Sequence, residues 1–376
     1  MRHNLVISFP HMGSYAVVFE QTLRRLFPQA TILPPPPITQ KTIDLGSRYS
    51  PDFVCSPFKY NIGNYIEALE LGANVLFQTG MGCRYGYYGE LQEQILRDLG
   101  YDFRFACLSR ERAKPLAALG IIQELGCTLP TSKILDALYI AVLSIHAIDR
   151  YEYWMRENIG FETKPGSCES AQKMLLGEIR RADSHKDLRT AISNCKKAAD
   201  QIELDRPDNP VRVGVIGEPY TLMEPFSNFY LEKDLAREGF SVSRVMSVWF
   251  LLFGHNDARA LRKSGGYLRY AVGANSVDSV SQSLGYAGKG YDGILHLKSF
   301  GCIPELNATP ALQNLSQREK IPMLQLSFDS HTSETGIKTR IEAFADMLRM
   351  RREEEDGRNR KPGRGHRLGI HQGGRP

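Results

Sequence analysis

The chain has 376 residues, 42% of them hydrophobic and 24% charged, an ordinary globular composition with length enough for two domains and no resemblance to a small disulfide-stapled fold. Its formal net charge of +5 owes much to residues 357–376, which hold Arg358, Arg360, Lys361, Arg364, Arg367, Arg375 and no acid, so the remainder is close to neutral and a basic face for specific nucleic-acid binding is not expected. No run of 18 apolar residues is present, residues 5–9 stop at Pro10 too early for a signal peptide, and seven cysteines without CxxC spacing suit reduced thiols, all of which reads as a cytoplasmic protein with no membrane partner.

NLVISF (4–9) predicts a strand, PHMGSY a loop, and residues 16–27 an amphipathic helix with Val17, Phe19, Leu23 and Leu26 on one side. Residues 31–33 follow as a short second strand, ended by four consecutive prolines at 34–37, which cannot join a central ladder. The stretch DFVCSPFKYNIGNYIEALELGANVLFQTG repeats this plan. A short apolar segment ends at Cys55, a loop carries Pro57 and Gly63, a helix runs through Tyr65 and Leu69, and Val75-Leu76-Phe77 forms a buried strand. The loop GMGCRYGYYG, with four glycines in ten residues, comes next, and Leu91, Ile95 and Leu99 then recur every fourth residue along a helix that Gly100 closes. In this strand-to-helix loop Cys83 is expected to be a thiolate, favoured by the helix N-terminus and by Arg84.

Residues 1–130 are therefore an N-terminal α/β lobe. Residues 131–205 change to long helices, a connector whose apolar face is Leu135, Leu138, Val142, Ile145 and Ile148. Its His146, Trp154, Cys168 and Cys195, like Cys107 and Cys127 outside it, read as packing residues. After the turn at residues 206–210 a second α/β lobe, 206–350, is built like the first: strand 211–216, loop GEPYTLMEP, a helix to Arg237, strand 240–245, strand 291–297, and IPMLQLSFD as the last strand. A closing helix carries Ile337, Ile341, Phe344 and Leu348, and residues 351–376 form a basic disordered tail. Gly214 and Gly217 do not make a dinucleotide fingerprint, because the spacing is not GxGxxG and Glu218 would repel a pyrophosphate.

On this reading Cys55, Cys83 and Cys302 all lie just past strand ends, two in one lobe and one in the other. Open α/β sheets bind ligands at that edge, so a cleft between the lobes would gather the three thiols. Three thiolates suit a [4Fe-4S] cluster with one iron left open. Zinc with His11, His296 or His331 as fourth donor is the competing set. Glu218 and Glu305, in loops at the cleft edge, are candidate proton carriers or hydrogen-bond acceptors, and Arg340 is a weaker candidate beside His331 in DSHTSE.

FQTGMGCRYGYYGELQEQILRDLGYDF, VGVIGEPYTLMEPFSNFYLEK, YDGILHLKSFGCIPE and LSFDSHTSETGIKTRIEAFADML together resemble the 2-hydroxyacyl-CoA dehydratase family, in particular its D-component-like, CoA-enzyme-activase-associated subgroup. The resemblance runs from about residue 6 to 348 and omits the helical connector. It implies two flavodoxin-like α/β lobes and an oxygen-sensitive iron-sulfur cluster, [4Fe-4S] or a larger double cubane, held by Cys55 in VCSPFK, Cys83 in GCRYG and Cys302 in GCIPE. It also implies an ATP-dependent iron-sulfur activator as partner and a homodimer or a heterodimer with a related subunit. The chain carries no activator domain, no fused second subunit and no CoA motif. The expected function is a low-potential reductase or dehydratase component, a lyase in the second case, with a non-catalytic metalloprotein that relays electrons to an enzyme as the alternative.

Overall fold

The computed structural model describes residues 5–79, 83–108, 120 and 122–359. The first lobe contains β1 (Val6–Ser8), α1 (Ala16–Leu26), β2 (Thr31–Ile32), α2 (Gln40–Tyr49), α3 (Ser56–Glu70), β3 (Val75–Thr79), a 3-10 turn (Arg84–Tyr87), α4 (Tyr88–Asp98) and β4 (Arg104–Leu108). Its four strands are all parallel in the order β2-β1-β3-β4. The connector carries α5 (Thr131–Asn158), α6 (Ser167–Arg181) and α7 (His185–Asp200). The second lobe follows with β5 (Arg212–Gly217), α8 (Pro219–Met223), α9 (Leu231–Arg237), β6 (Ser241–Arg244), α10 (Asp257–Lys263), α11 (Ser276–Gly288), β7 (Gly293–Ser299), α12 (Ile303–Arg318), β8 (Met323–Phe328) and α13 (Glu334–Asn359). Its parallel sheet has the order β6-β5-β7-β8, the same topology as the first. The protein is thus α/β, with two flavodoxin-like parallel-sheet lobes.

Parallel strands covered on both faces need near-continuous apolar sequence. The second sheet has it: Val213, Val215, Ile216, Ile294, Leu295, Leu297 and Leu326 are fully buried. Gly214 in β5 has no side chain because the Tyr286 ring of α11 lies where its Cβ would be, at 2.4 Å. Ile337, Ile341, Phe344 and Leu348 of α13 all pack into this core, as their spacing predicts.

Four features differ from the sequence reading. No strand precedes Cys55; residues 50–55 are irregular, and Pro57 and Gly63 lie inside α3, not in a loop. Proline is tolerated in a first helical turn, and Gly63 is small because α2 crosses there: its Cβ would stand 1.9 Å from the Thr42 carbonyl oxygen. In α4 the buried positions are Tyr88, Gly89, Gln92 and Leu96, while Leu91 and Leu99 are 41% and 38% exposed. Gly89, lodged against Cys107, sets that face. In α5 the buried stripe is Ile134, Ala137, Ala141, Ser144 and Ile148, and Leu135 is exposed; a helix apolar nearly all round is oriented by where its small residues permit close approach, and periodicity alone does not choose. Lastly, α13 runs past residue 351 to Asn359, with Arg351 and Glu355 paired at 3.2 Å one turn apart; the rest of the basic tail lies outside the described residues.

The connector is a strut between the lobes. Asp149 of α5 accepts from the Tyr15 hydroxyl of the first lobe at 2.5 Å and from the Trp249 backbone N–H of the second at 2.8 Å. Nearby, buried Arg156 and Arg244 share Glu152 and Glu232. By length and composition residues Thr131–Phe161 would pass for a membrane span, and 39% of its apolar window is buried in the structure. It contacts α1, α6 and β6.

The α2–α3 crossing is testable. Gly63→Ala should lose about 1–3 kcal/mol in chemical denaturation, the cost of overpacking against backbone, whereas Gly177→Ala in α6, with only an Arg181 side-chain tip at 3.7 Å, should gain about 0.5–1 kcal/mol. A Gly63→Ala protein as stable as its parent would contradict the crossing.

Candidate functional site

Cys83 and Cys302 lie just past strand ends, as expected, and Cys55 does not; what all three share is that each is the residue before a helix. Cys55 precedes α3, Cys83 the 3-10 turn at Arg84–Tyr87, and Cys302 precedes α12. The loops that carry them meet where the C-terminal ends of the two sheets face each other. The Ser56 backbone N–H donates to Ser299 Oγ at 2.7 Å, the Ser299 hydroxyl donates to Ser56 Oγ at 3.1 Å, and the Ser56 hydroxyl donates to the Phe328 carbonyl at 3.0 Å. Arg84 donates to the Gly301 carbonyl at 3.0 Å. Gly301 itself lies on the backbone before Cys55, since a Cβ there would be 3.3 Å from Phe53 O, Val54 O and Cys55 N. One lobe therefore holds Cys302 against the other lobe's Cys55 and Cys83.

Burial decides the protonation of these thiols. It pushes Cys55 up to about 12, with Glu218 and Cys83 adding to the shift and the Tyr88 hydroxyl, 3.0 Å from its sulfur, opposing it. Cys302 is raised further still by burial, then by Glu218 and Glu305. Cys83 is also raised, chiefly by burial, although the Tyr85 N–H at 3.4 Å and the Arg84 charge favour its thiolate. The expectation of a thiolate at Cys83 is thus reversed: a helix terminus and one exposed arginine are outweighed by desolvation beside a carboxylate. A thiolate here needs a cation brought to it.

Glu218 caps α8, accepting from the N–H groups of Tyr220 and Thr221 at 2.8 and 2.9 Å and from the Thr221 hydroxyl at 2.6 Å. Burial raises its pKa, and its charge acts on all three thiols. Glu305 is not in a loop at the cleft edge. It lies in the first turn of α12, 1% exposed, held by the Ser279 hydroxyl at 3.0 Å and by His296 Nε2 at 2.8 Å. His11 pairs with Glu224 across the lobe boundary at 2.7 Å, and His331 is exposed in the turn that Asp329 caps before α13. None of the three histidines is thereby placed with the thiols as a fourth donor. Arg340 is exposed and donates to the Gln325 carbonyl. Among the described residues no three His, Cys, Asp or Glu side chains converge as ligands of a single metal ion.

Several residues of the site were not anticipated. Tyr85 and Tyr88 come from the GCRYGYYG loop, whose aromatics alternate with glycines; Ser56 and Ser299 flank the cysteines in VCSP and KSFGC. Lys298, 6% exposed, donates to the Ser327 hydroxyl at 2.8 Å, and burial lowers its pKa while Cys302 and Glu305 oppose that shift. Its neighbourhood to Cys302 in KSFGC was the available signal. Comparison of the chain with protein-family models finds no match, and comparison with curated proteins finds none either.

In metal-free protein at pH 7 Cys55 is a thiol. Its alkylation rate, followed by mass spectrometry of native protein, should rise about tenfold per pH unit from pH 7 to 10 without levelling, because its thiolate fraction is still climbing there. A plateau near pH 9 would show an ordinary thiol.

Proposed function

We propose that this is an iron-sulfur protein whose cluster, [4Fe-4S] or larger, is held by Cys55, Cys83 and Cys302, and that it acts as a low-potential reductase or dehydratase component served by a separate ATP-dependent activator. The observation that carries the reading is the meeting of three thiols from two lobes at one junction, each kept protonated by burial, so that a bound cation is what would stabilise its thiolate as the proton leaves. The donor set fits: three sulfurs, with no histidine committed to them. A polynuclear group takes its thiolates on different metal atoms, so its three sulfurs need not converge on one point. When bound, such a group supplies single electrons at low potential and a Lewis-acidic position for a substrate oxygen.

The chain's own residues have separate tasks. Glu218, with its pKa raised and part of its surface open, is suited to carry a proton at Oε1 or Oε2 beside the thiols. Glu305 is better suited to hold its place behind Cys302 than to meet substrate, because it is buried where Glu218 is only half-buried. A 2-hydroxyacyl thioester substrate rests on the family resemblance, as does a homodimer or related second subunit. Seven cysteines without CxxC spacing suit a reducing, cytoplasmic setting.

One observation favours the electron-relay reading. Phe53, Phe300 and Ile303, each within two residues of Cys55 or Cys302, are 86%, 61% and 48% exposed, an apolar rim of the kind that partner proteins cover.

Protein made with ample iron and purified without oxygen should be brown and contain about four irons per chain if it holds one cubane. Cys55→Ser, Cys83→Ser and Cys302→Ser should each lose most of that iron, while serine at Cys107, Cys127, Cys168 or Cys195 should leave it in place. Stoichiometric zinc with no acid-labile sulfide would defeat the proposal.

A further inference from the structure

Tyr88 opens α4 with its side chain turned inward, 6% exposed, and its hydroxyl oxygen lies 3.0 Å from Cys55 Sγ. The ring is held in place. Phe58 meets it edge-on with centroids 4.7 Å apart, Tyr85 lies against it at 5.6 Å, and the whole group packs with Ile62, Tyr65 and Leu96. A buried hydroxyl is costly unless it is hydrogen-bonded, and the sulfur of Cys55 is the partner this one has. The Tyr85 hydroxyl is engaged elsewhere, by Asn61 Nδ2 at 2.9 Å. The three sulfurs also differ in what reaches them. Backbone N–H groups donate to all of them, from Phe58 to Cys55, from Tyr85 to Cys83 and from Glu305 to Cys302. Among the described residues, Cys55 alone of the three has a side-chain hydroxyl on its sulfur as well.

We propose that Tyr88 is a positioning residue for the metal group, donating a hydrogen bond to the Cys55 sulfur and thereby raising the group's reduction potential; this rests on the iron-sulfur reading. Between a thiol and a phenol either atom can donate. A metal-bound sulfur carries no proton, so the one hydrogen left between the pair is on the Tyr88 oxygen and the direction of the bond is fixed. An added electron increases the negative charge on the ligating sulfurs, and a donor bonds more strongly to the more negative acceptor. The reduced form is therefore stabilised more than the oxidised one, which is how hydrogen bonds to cluster sulfurs raise a potential. The packing of the ring matters for the same reason, because a hydroxyl free to turn away would lose the bond in one of the two states.

Tyr88→Phe keeps the ring and removes the donor. In full-length protein purified without oxygen its iron content should equal the parent's. Its midpoint potential, from a titanium(III) citrate titration followed by EPR, should fall by about 59 mV, a tenfold change in the one-electron equilibrium. Tyr87→Phe, in the same turn with its side chain exposed, should leave the midpoint where it is. The contact itself is read without metal. In iron-free protein Tyr88→Phe should lower Tm when Cys55 is present, and should leave it unchanged or raise it in a Cys55→Ala background, where the hydroxyl has already lost its partner. An unchanged or raised midpoint with iron bound, an equal shift in Tyr87→Phe, or the same change in Tm in both backgrounds would overturn the proposal. Loss of iron in Tyr88→Phe alone would overturn it too, because the hydroxyl would then hold the site together without tuning it. Parent protein that takes up no iron would instead defeat the cluster reading, and the proposed effect on potential with it.

Discussion

The ring of hydrogen bonds among Ser56, Ser299 and Phe328 is the joint on which the rest of the molecule depends. The C-terminal edge of a parallel sheet is a row of loops with backbone groups that need partners. Here two such edges are turned toward each other and satisfy one another across the boundary. Glu224 does for the other side of the joint what Ser56 does for this one, accepting from Gly13 N–H at 2.7 Å and from His11. Gly13 allows that approach, since a Cβ would lie 2.4 Å from the Met223 carbonyl oxygen and its φ is +50°. With α5 bracing both lobes through Asp149, the junction is fixed from three directions.

Such a joint sets its thiols among carboxylates. Glu218, Glu224 and Glu305 and three thiols lie at or near it, while Arg84 is exposed and Lys298 is committed to Ser327. Desolvation and like charge therefore act in the same direction on every sulfur, and each is driven toward its neutral form. A metal group bound as proposed would relieve that penalty as the thiols deprotonate.

Much of the architecture was legible because parallel strands buried on both faces leave near-continuous apolar runs, and β3, β5 and β7 all carry them. The final helix was legible for the related reason that its Ile337–Leu348 stripe has a polar opposite face. The α4 and α5 faces were not, since Leu91 and Leu135 have the right spacing and the wrong side; which stripe is buried depends on where Gly89 or Ala137 lets another element come close. The segment before Cys55 read as a strand because Phe53 and Val54 are apolar, yet Phe53 points to solvent at φ 61°. Cys83 and Cys302 could be placed beyond strand ends from local sequence, as could Glu218 in its loop. The depth of Glu305 could not, because it is set by Ser279 and His296, 26 and 9 residues away. Nor could local sequence show that burial would overrule Arg84 at Cys83.

The central claim is that thiols from both lobes hold one metal group at this joint. Crystals grown without oxygen, with diffraction recorded on both sides of the iron absorption edge, test it most directly. An anomalous difference peak bounded by Cys55, Cys83 and Cys302 is the expected result. A peak elsewhere, or none in protein shown to have been supplied with iron, would contradict it.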